Sequence, residues 1–145
     1  MPELPEVETT LRAIEKFKSQ NLNEIKIHNR NLRWVVDKSL EKKSKNQKVL
    51  NLFRRAKYII FFFFFFFLLL NLIMLGSLRI NNIKYNYFLK HDHVEFIFDK
   101  EKIIYNDPRR FGSLHLCDDI NSHRLISALG PEPLSKDFNG KYLLK

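Results

Sequence analysis

The spacing of apolar residues near the start of the chain predicts an amphipathic helix. Val7, Leu11, Ile14 and Phe17 recur at intervals of four, three and three residues, which aligns them along one stripe of a helix. Pro5 suits the first turn of that helix. Glu6 and Glu8 sit where exposed amides and the positive end of the helix dipole favour carboxylates. Over residues 25–36 the period changes to two, with Ile25 and Ile27, then Leu32, Trp34 and Val36, alternating with polar residues. That pattern predicts a half-buried strand interrupted near residues 29–31. The basic, polar stretch 38–48 predicts a loop or exposed turn, and residues 49–53 begin a strand that runs into Arg54, Arg55 and Lys57. Residues 93–98 and 102–105 predict two strands joined by a turn at 99–101, followed by a strand at 113–116. Residues 121–129 predict a short helix stopped by Gly130 and Pro131. Several strands with two helices place the chain in the α+β class.

One segment departs from these periods. Residues 58–70 are thirteen consecutive apolar residues, seven of them the phenylalanines 61–67, and no charge appears between Lys57 and Arg79. The 19 residues 58–76, interrupted only by Asn71, approach the roughly 20 that a helix needs to cross a bilayer. A membrane-spanning helix is therefore one reading of the segment. Phenylalanine also favours strands, and basic residues flank both ends, so the charge asymmetry that orients a span is weak.

Composition narrows the alternatives. At 145 residues the chain has room for one domain and one core. Its formal charge of +9 suggests a polyanionic partner such as nucleic acid or an acidic membrane surface. An apolar fraction of 45 % with 28 % charged residues excludes a wholly disordered or collagen-like chain. The lone cysteine, Cys117, can form no internal disulfide and no cysteine-rich zinc module, which suggests a reducing compartment. Acidic and helix-forming residues follow Met1 where a signal peptide would carry a basic leader and an apolar core, so a cytoplasmic location is expected.

Six strings carry a specific resemblance: PELPEVET at 2–9, RRAKY at 54–58, GSLRI at 76–80, KHDHV at 90–94, NDPRRFG at 106–112 and LGPEPL at 129–134. In this order they resemble the N-terminal catalytic domain of the formamidopyrimidine-DNA glycosylase and endonuclease VIII family of base-excision repair enzymes. The resemblance implies a two-layer antiparallel β-sandwich flanked by helices over residues 1–135, with an interdomain linker beginning at 136–145. It also implies a bifunctional DNA glycosylase and AP lyase that removes oxidised purines such as 8-oxoguanine or formamidopyrimidine. The implied partner is double-stranded DNA carrying an oxidised base or an abasic site, and the implied state is a monomer with no membrane.

The resemblance assigns roles residue by residue. With Met1 removed, Pro2 becomes a secondary amine, and an α-amino group titrates near pH 7.7 to 8.0, so a useful fraction is nucleophilic at neutral pH. In the family this amine attacks C1′ of the damaged nucleotide, expels the base and leaves a cationic imine that drives β- and then δ-elimination. Glu3 resembles the general acid and Glu6 a second carboxylate that organises the amine, although dipole complementation at a helix start accounts for Glu6 equally well. Lys57 corresponds to a lysine near the reacting sugar and phosphate, and His91 to a contact with the DNA backbone. Arg54 and Arg55 are also read as solvated charge at a strand end. His91 and His93 form a metal-pair spacing with no third ligand in view. Met74, Arg109 and Phe111 resemble the side chains that fill the hole left by a flipped base, which offsets part of the few kcal/mol of unstacking. Arg110 completes the basic pair on the same loop, where Pro108 and Gly112 suit a presenting turn.

The match fails at three places. Where the family has two strands joined by a turn with proline or glycine, this chain has the phenylalanine run, so a hairpin there must turn without turn residues and expose an aggregation-prone apolar tip. Near Met74, Asn71, Ile73 and Leu75 replace a histidine and small residues of the family. The family's helix-two-turn-helix region and four-cysteine zinc finger are expected to have no counterpart before Lys145, so no cofactor is expected. Weak DNA binding with residual lyase chemistry is the expectation. A catalytically inactive DNA-binding fragment is the alternative, and a small membrane protein spanning 58–76 is a third.

Overall fold

The computed structural model describes residues 4–72, 76–85 and 88–118. In chain order the elements are α1 (Leu4–Ile14), a 3-10 turn (Glu15–Phe17), β1 (Asn21–Leu22), β2 (Glu24–Ile27), α2 (Leu40–Ser44), β3 (Gln47–Lys48) and β4 (Asn51–Arg55). They continue with β5 (Tyr58–Phe62), β6 (Phe67–Asn71), β7 (Ser77–Asn82), β8 (Asp92–Ile97), β9 (Glu101–Asn106) and β10 (Ser113–Cys117). Two four-stranded sheets form, in the orders β10-β6-β5-β4 and β2-β8-β9-β7, with β1 and β3 as a separate ribbon. Every strand pair is antiparallel, and the architecture is the α+β sandwich expected from the sequence.

Alternation along each strand builds the core. Leu52, Ile59, Phe61, Leu68, Leu70 and Leu114 of the first sheet face Ile25, Val94, Phe96, Ile103 and Tyr105 of the second, and all are buried in one cluster. Phe61 and Phe96 stack across the two layers with ring centroids 5.1 Å apart. The helical stripe closes one side, since Val7, Leu11, Ile14 and Phe17 are all buried in the same cluster. Burying such a side chain contributes roughly 1.5 to 3 kcal/mol, so this stripe fastens α1 to the sandwich. The outer face of the first sheet carries a second buried cluster of Tyr58, Ile60, Phe62, Phe67, Leu69 and Cys117. On β8 of the second sheet Glu95 instead accepts from Lys102 Nζ at 2.7 Å and pairs with His28 at 2.5 Å.

The apolar run is a hairpin, and the reading of 58–76 as a spanning helix is corrected. Residues 58–62 and 67–71 pair antiparallel as β5 and β6, buried on both faces of their sheet, so the continuous apolar pattern reports two-sided burial. No helix among the described residues is long and apolar enough to cross a membrane. The reversal uses Phe63–Phe66, closed by a hydrogen bond from Phe63 N–H to the Phe66 carbonyl at 2.9 Å. Two other expectations are corrected. Residues 32–36 form no strand; among the described residues their one strand-like pairing is the isolated bridge Asn31↔Val35. Part of the supposed loop 38–48 folds as α2 and β3, because Leu40 and Ser44 are buried one turn apart. The helix expected at 121–129 and the linker expected at 136–145 lie outside the described residues.

Candidate nucleic-acid interface

The first three strands of the β10-β6-β5 layer are in register at one end, where Ser113 pairs with Asn71 and Asn71 with Tyr58. At that end the chain turns through Ala56–Lys57 before β5 and through residues 107–112 before β10. The second sheet brings His91 alongside, because Asp92 at the start of β8 pairs with Asn106 at the end of β9. Lys57, His91, Arg109, Arg110 and Phe111 are thereby gathered at one end of the sandwich. Pro2, Glu3 and Met74 lie outside the described residues, as does the side chain of Glu6, whose backbone lies in the first turn of α1.

Asp107 organises the loop that carries the two arginines. It is fully buried, and its Oδ2 accepts from the Tyr105 hydroxyl at 2.6 Å and from Gly112 N–H at 2.8 Å. Its Oδ1 accepts from Arg110 N–H at 3.0 Å. Its backbone N–H donates to the His91 carbonyl at 3.1 Å, and its own carbonyl accepts from His93 Nε2 at 2.6 Å. One carboxylate thus folds the loop back on itself and ties it to the His91 corner. Burial, with the Asp107 carboxylate adding to it, pushes the Tyr105 phenol far above its usual range, so Tyr105 stays a donor at any working pH. Gly112 is required here, since a Cβ would stand 1.9 Å from the Tyr105 hydroxyl and 2.4 Å from the Asn71 carbonyl.

The His91 corner has its own brace. Arg79 donates to Asp92 through both Nη atoms at 2.7 and 2.5 Å, while Asn106 Nδ2 and Leu89 N–H donate to the same carboxylate at 2.9 Å each. Burial alone would raise the Asp92 carboxyl, but the Arg79 guanidinium, the Asn106 amide and the Leu89 N–H outweigh it and hold it at about 2. The metal reading of His91 and His93 finds no support in the geometry: His93 Nε2 is engaged by the Asp107 carbonyl. Among the described residues no three His, Cys, Asp or Glu side chains converge as a metal site.

Lys57 sits half-buried on the two-residue turn between β4 and β5, with Nζ 5.9 Å from the centre of the Tyr58 ring. The reading of Arg54 as solvated charge is corrected. Its Nε donates to Glu8 of α1 at 2.8 Å and its Nη1 donates to the Ala56 carbonyl at 3.0 Å, so one side chain joins the first helix to the Lys57 turn. Arg55 is buried rather than solvated. Of the five non-glycine residues with positive φ among the described residues, Ala56, His91 and Arg110 lie in these loops, at 53°, 70° and 57°. Such backbone is costly for side chains other than glycine and concentrates where function requires it.

Sequence reasoning assigned no bracing role to Asp107, Asp92, Arg79 or Arg54, because residue type alone does not show which partner a charged side chain takes. The one legible signal was Asp107 before Pro108, a common turn opening. Arg109, Arg110 and Phe111 emerge exposed from this bracing, which presents two cations and an aromatic ring to the solvent. That combination suits a polyanion with stackable bases.

Residues 1–114 match the family model described as the formamidopyrimidine-DNA glycosylase N-terminal domain. The formamidopyrimidine-DNA glycosylase of Hydrogenovibrio crunogenus is 43 % identical over the whole chain, which covers 52 % of that protein. The enzyme of the same name from Escherichia coli is 42 % identical over 99 % of the chain, covering 53 % of the relative. Among solved structures, the Lactococcus lactis enzyme non-covalently bound to DNA containing an AP site superposes with a TM-score of 0.78 at 32 % identity, over 97 % of this chain and 55 % of that one. A complex with DNA containing carbocyclic 8-oxo-G gives a TM-score of 0.78 at 33 % identity, over 97 % of this chain and 54 % of that one. The chain spans about half the length of the curated relatives it matches, and it belongs to the formamidopyrimidine-DNA glycosylase family through its N-terminal domain.

Proposed function

We propose that this chain is the catalytic half of a base-excision repair enzyme, a DNA glycosylase and AP lyase acting on oxidised purines in duplex DNA. The observation that carries the reading is the Asp107-braced loop. It presents Arg109, Arg110 and Phe111 from the same strand ends as Lys57 and His91, beside the helix that follows the N-terminus. A duplex laid against this end meets cations for its phosphates and an aromatic wedge for the gap a flipped base leaves.

The chemistry follows from the N-terminal amine. The Pro2 nitrogen bonds to C1′ and releases its proton while the bond from C1′ to the base breaks, the base leaving with the electron pair and taking up a proton from solvent. Glu3 protonates O4′ as the C1′–O4′ bond breaks, and the nitrogen lone pair completes a cationic imine. A base takes the C2′ proton, the electron pair of that bond flows toward the imine, and the C3′–O bond breaks with the 3′-phosphate as leaving group. A second elimination breaks C5′–O and expels the 5′-phosphate. Lys57, carried on the turn that Arg54 fastens to α1, supplies positive charge for the phosphates and the reacting sugar. Glu6 in the first turn of α1 holds the amine by charge and hydrogen bonding, and Met74 shares the wedge with Arg109 and Phe111. His91 adds a backbone contact. No step passes through a metal. The described residues do not fit the family's zinc, because Cys117 stands alone, is buried, and has its thiol pushed up to about 12. The chain is read as acting as a monomer in the cytoplasm.

Borohydride trapping on a duplex carrying an abasic site tests the reading, with an N-terminally acetylated chain as control because an amide nitrogen forms no imine. A covalent complex with the free amine alone is expected. Equal complexes in both lanes would remove Pro2 from the role. Duplex binding without any complex would favour the second reading, a catalytically inactive DNA-binding fragment whose charge of +9 gives salt-sensitive association.

A further inference from the structure

The irregular stretch after β2 carries a group of side chains to the same end of the sandwich. The Asn29 side chain accepts from Asn31 N–H at 2.9 Å, and Val36 N–H donates to the Arg30 carbonyl at 3.1 Å, which folds the segment into a compact loop. Leu32 and Val36 are buried and anchor it in the core. Between those anchors Arg33 and Trp34 point outward, Trp34 with 42 % of its surface exposed. Arg33 N–H donates to the Gly112 carbonyl at 3.2 Å. The loop is thus joined by backbone to the one that presents Arg109, Arg110 and Phe111.

Between the two loops lies an open depression of about 330 Å3 lined by Asn31, Leu32, Arg33, Arg109, Arg110 and Phe111. Among the described residues three arginines and no carboxylate line it, so its chemistry calls for an anion. A bare anion would use the cations and leave the aromatic surface idle. The Phe111 ring, 43 % exposed, lines the wall, and the Trp34 ring stands beside the Arg33 guanidinium at 5.8 Å. A nucleotide uses both features, with its phosphate among the arginines and its base against the rings.

We infer that the Asn31–Trp34 loop and the Arg109–Phe111 loop together form a nucleotide-binding depression. A DNA backbone phosphate sits between Arg33 and Arg110, and the attached base rests on Phe111 and Trp34. The inference rests on the proposal that this end faces DNA, and it adds Arg33 and Trp34 to the contacts with the strand.

Trp34 is the only tryptophan in the chain, so its emission reports on this site alone. The full chain is titrated into a fluorescein-labelled duplex carrying an abasic site, and anisotropy and tryptophan emission are read on the same samples. Trp34 emission is expected to fall with the same midpoint as the anisotropy rises. Arg33→Gln should weaken binding about fivefold and reduce the slope of log K against log salt by about 0.9, the release expected for one phosphate contact, while Arg33→Lys retains the slope. A rise in anisotropy with unchanged Trp34 emission and an unaltered Arg33→Gln slope would overturn the inference and leave the DNA reading standing. No anisotropy change from a folded chain would overturn the DNA reading, and this inference with it.

Discussion

At the end of the sandwich that carries Lys57, His91 and Arg109, the loops are held by buried polar groups; at the opposite end, the β5–β6 turn is held by rings. Asp107 and Asp92 each take three or more hydrogen bonds from the strands and loops around them. In the distal turn Phe63 stacks on Phe66 with centroids 4.6 Å apart, and Phe64 meets Phe65 edge to face at 4.7 Å. Phe64 and Phe65 remain 59 % and 77 % exposed. The difference shows what each kind of contact can specify. Hydrogen bonds to a buried carboxylate are directional and fix a backbone in costly positive-φ conformations. In the distal turn one backbone hydrogen bond closes the reversal, and the ring contacts added to it leave an apolar tip in water.

The comparison is broken most severely at Gly112. Gly112→Ala drives a methyl group into the Tyr105 hydroxyl and the Asn71 carbonyl, and it should cost about 3 kcal/mol, the upper end of overpacking penalties. Thermal unfolding would show it as a lowered Tm. Asp107→Ala should cost nearly as much, about 2 to 3 kcal/mol, because the buried Tyr105 hydroxyl and the Gly112 and Arg110 amides lose their acceptor. It should also weaken DNA binding beyond the loss of stability, a difference that anisotropy on the still-folded fraction would detect.

Asp92 gives the polar end a pH signature. Its folded pKa of about 2 lies below the ordinary value near 3.9, so its contribution of about 2 kcal/mol is fully present above pH ~4 and is lost as pH falls through about 2. Asp92→Asn should flatten that part of the stability profile measured by denaturant titration between pH 5 and 2. The smallest effect belongs to the distal tip. Phe64→Ser with Phe65→Ser should change stability by less than about 0.5 kcal/mol, as expected of exposed side chains. The same variant should raise the concentration at which the chain begins to self-associate, measured by light scattering. A large loss of stability there would mean that the exposed rings help to specify the turn.

Much of the site was legible as residue identity. The string at 106–112 announced a presenting loop, and the structure delivers Arg109, Arg110 and Phe111 exposed at its crest. Arg54 was not legible in the same way, because solvated charge and an ion pair to Glu8, 46 positions away, look alike along a chain. The loop at 29–36 misled for a related reason. Its alternation of Leu32, Trp34 and Val36 has the period of a strand, yet only Leu32 and Val36 reach the core and Trp34 is left outside.

The sequence by itself determined the helix stripe, the α+β class, the excess of positive charge and the family strings, because each depends on residue type and short spacing. Only the tertiary structure decided that the apolar run is a hairpin buried on two faces rather than a bilayer span, since both need the same unbroken hydrophobicity. It also decided which charges brace and which present. Asp107, Asp92 and Arg54 acquire their roles from partners that the packing of two sheets and a helix brings within hydrogen-bonding distance, and no local pattern encodes that meeting.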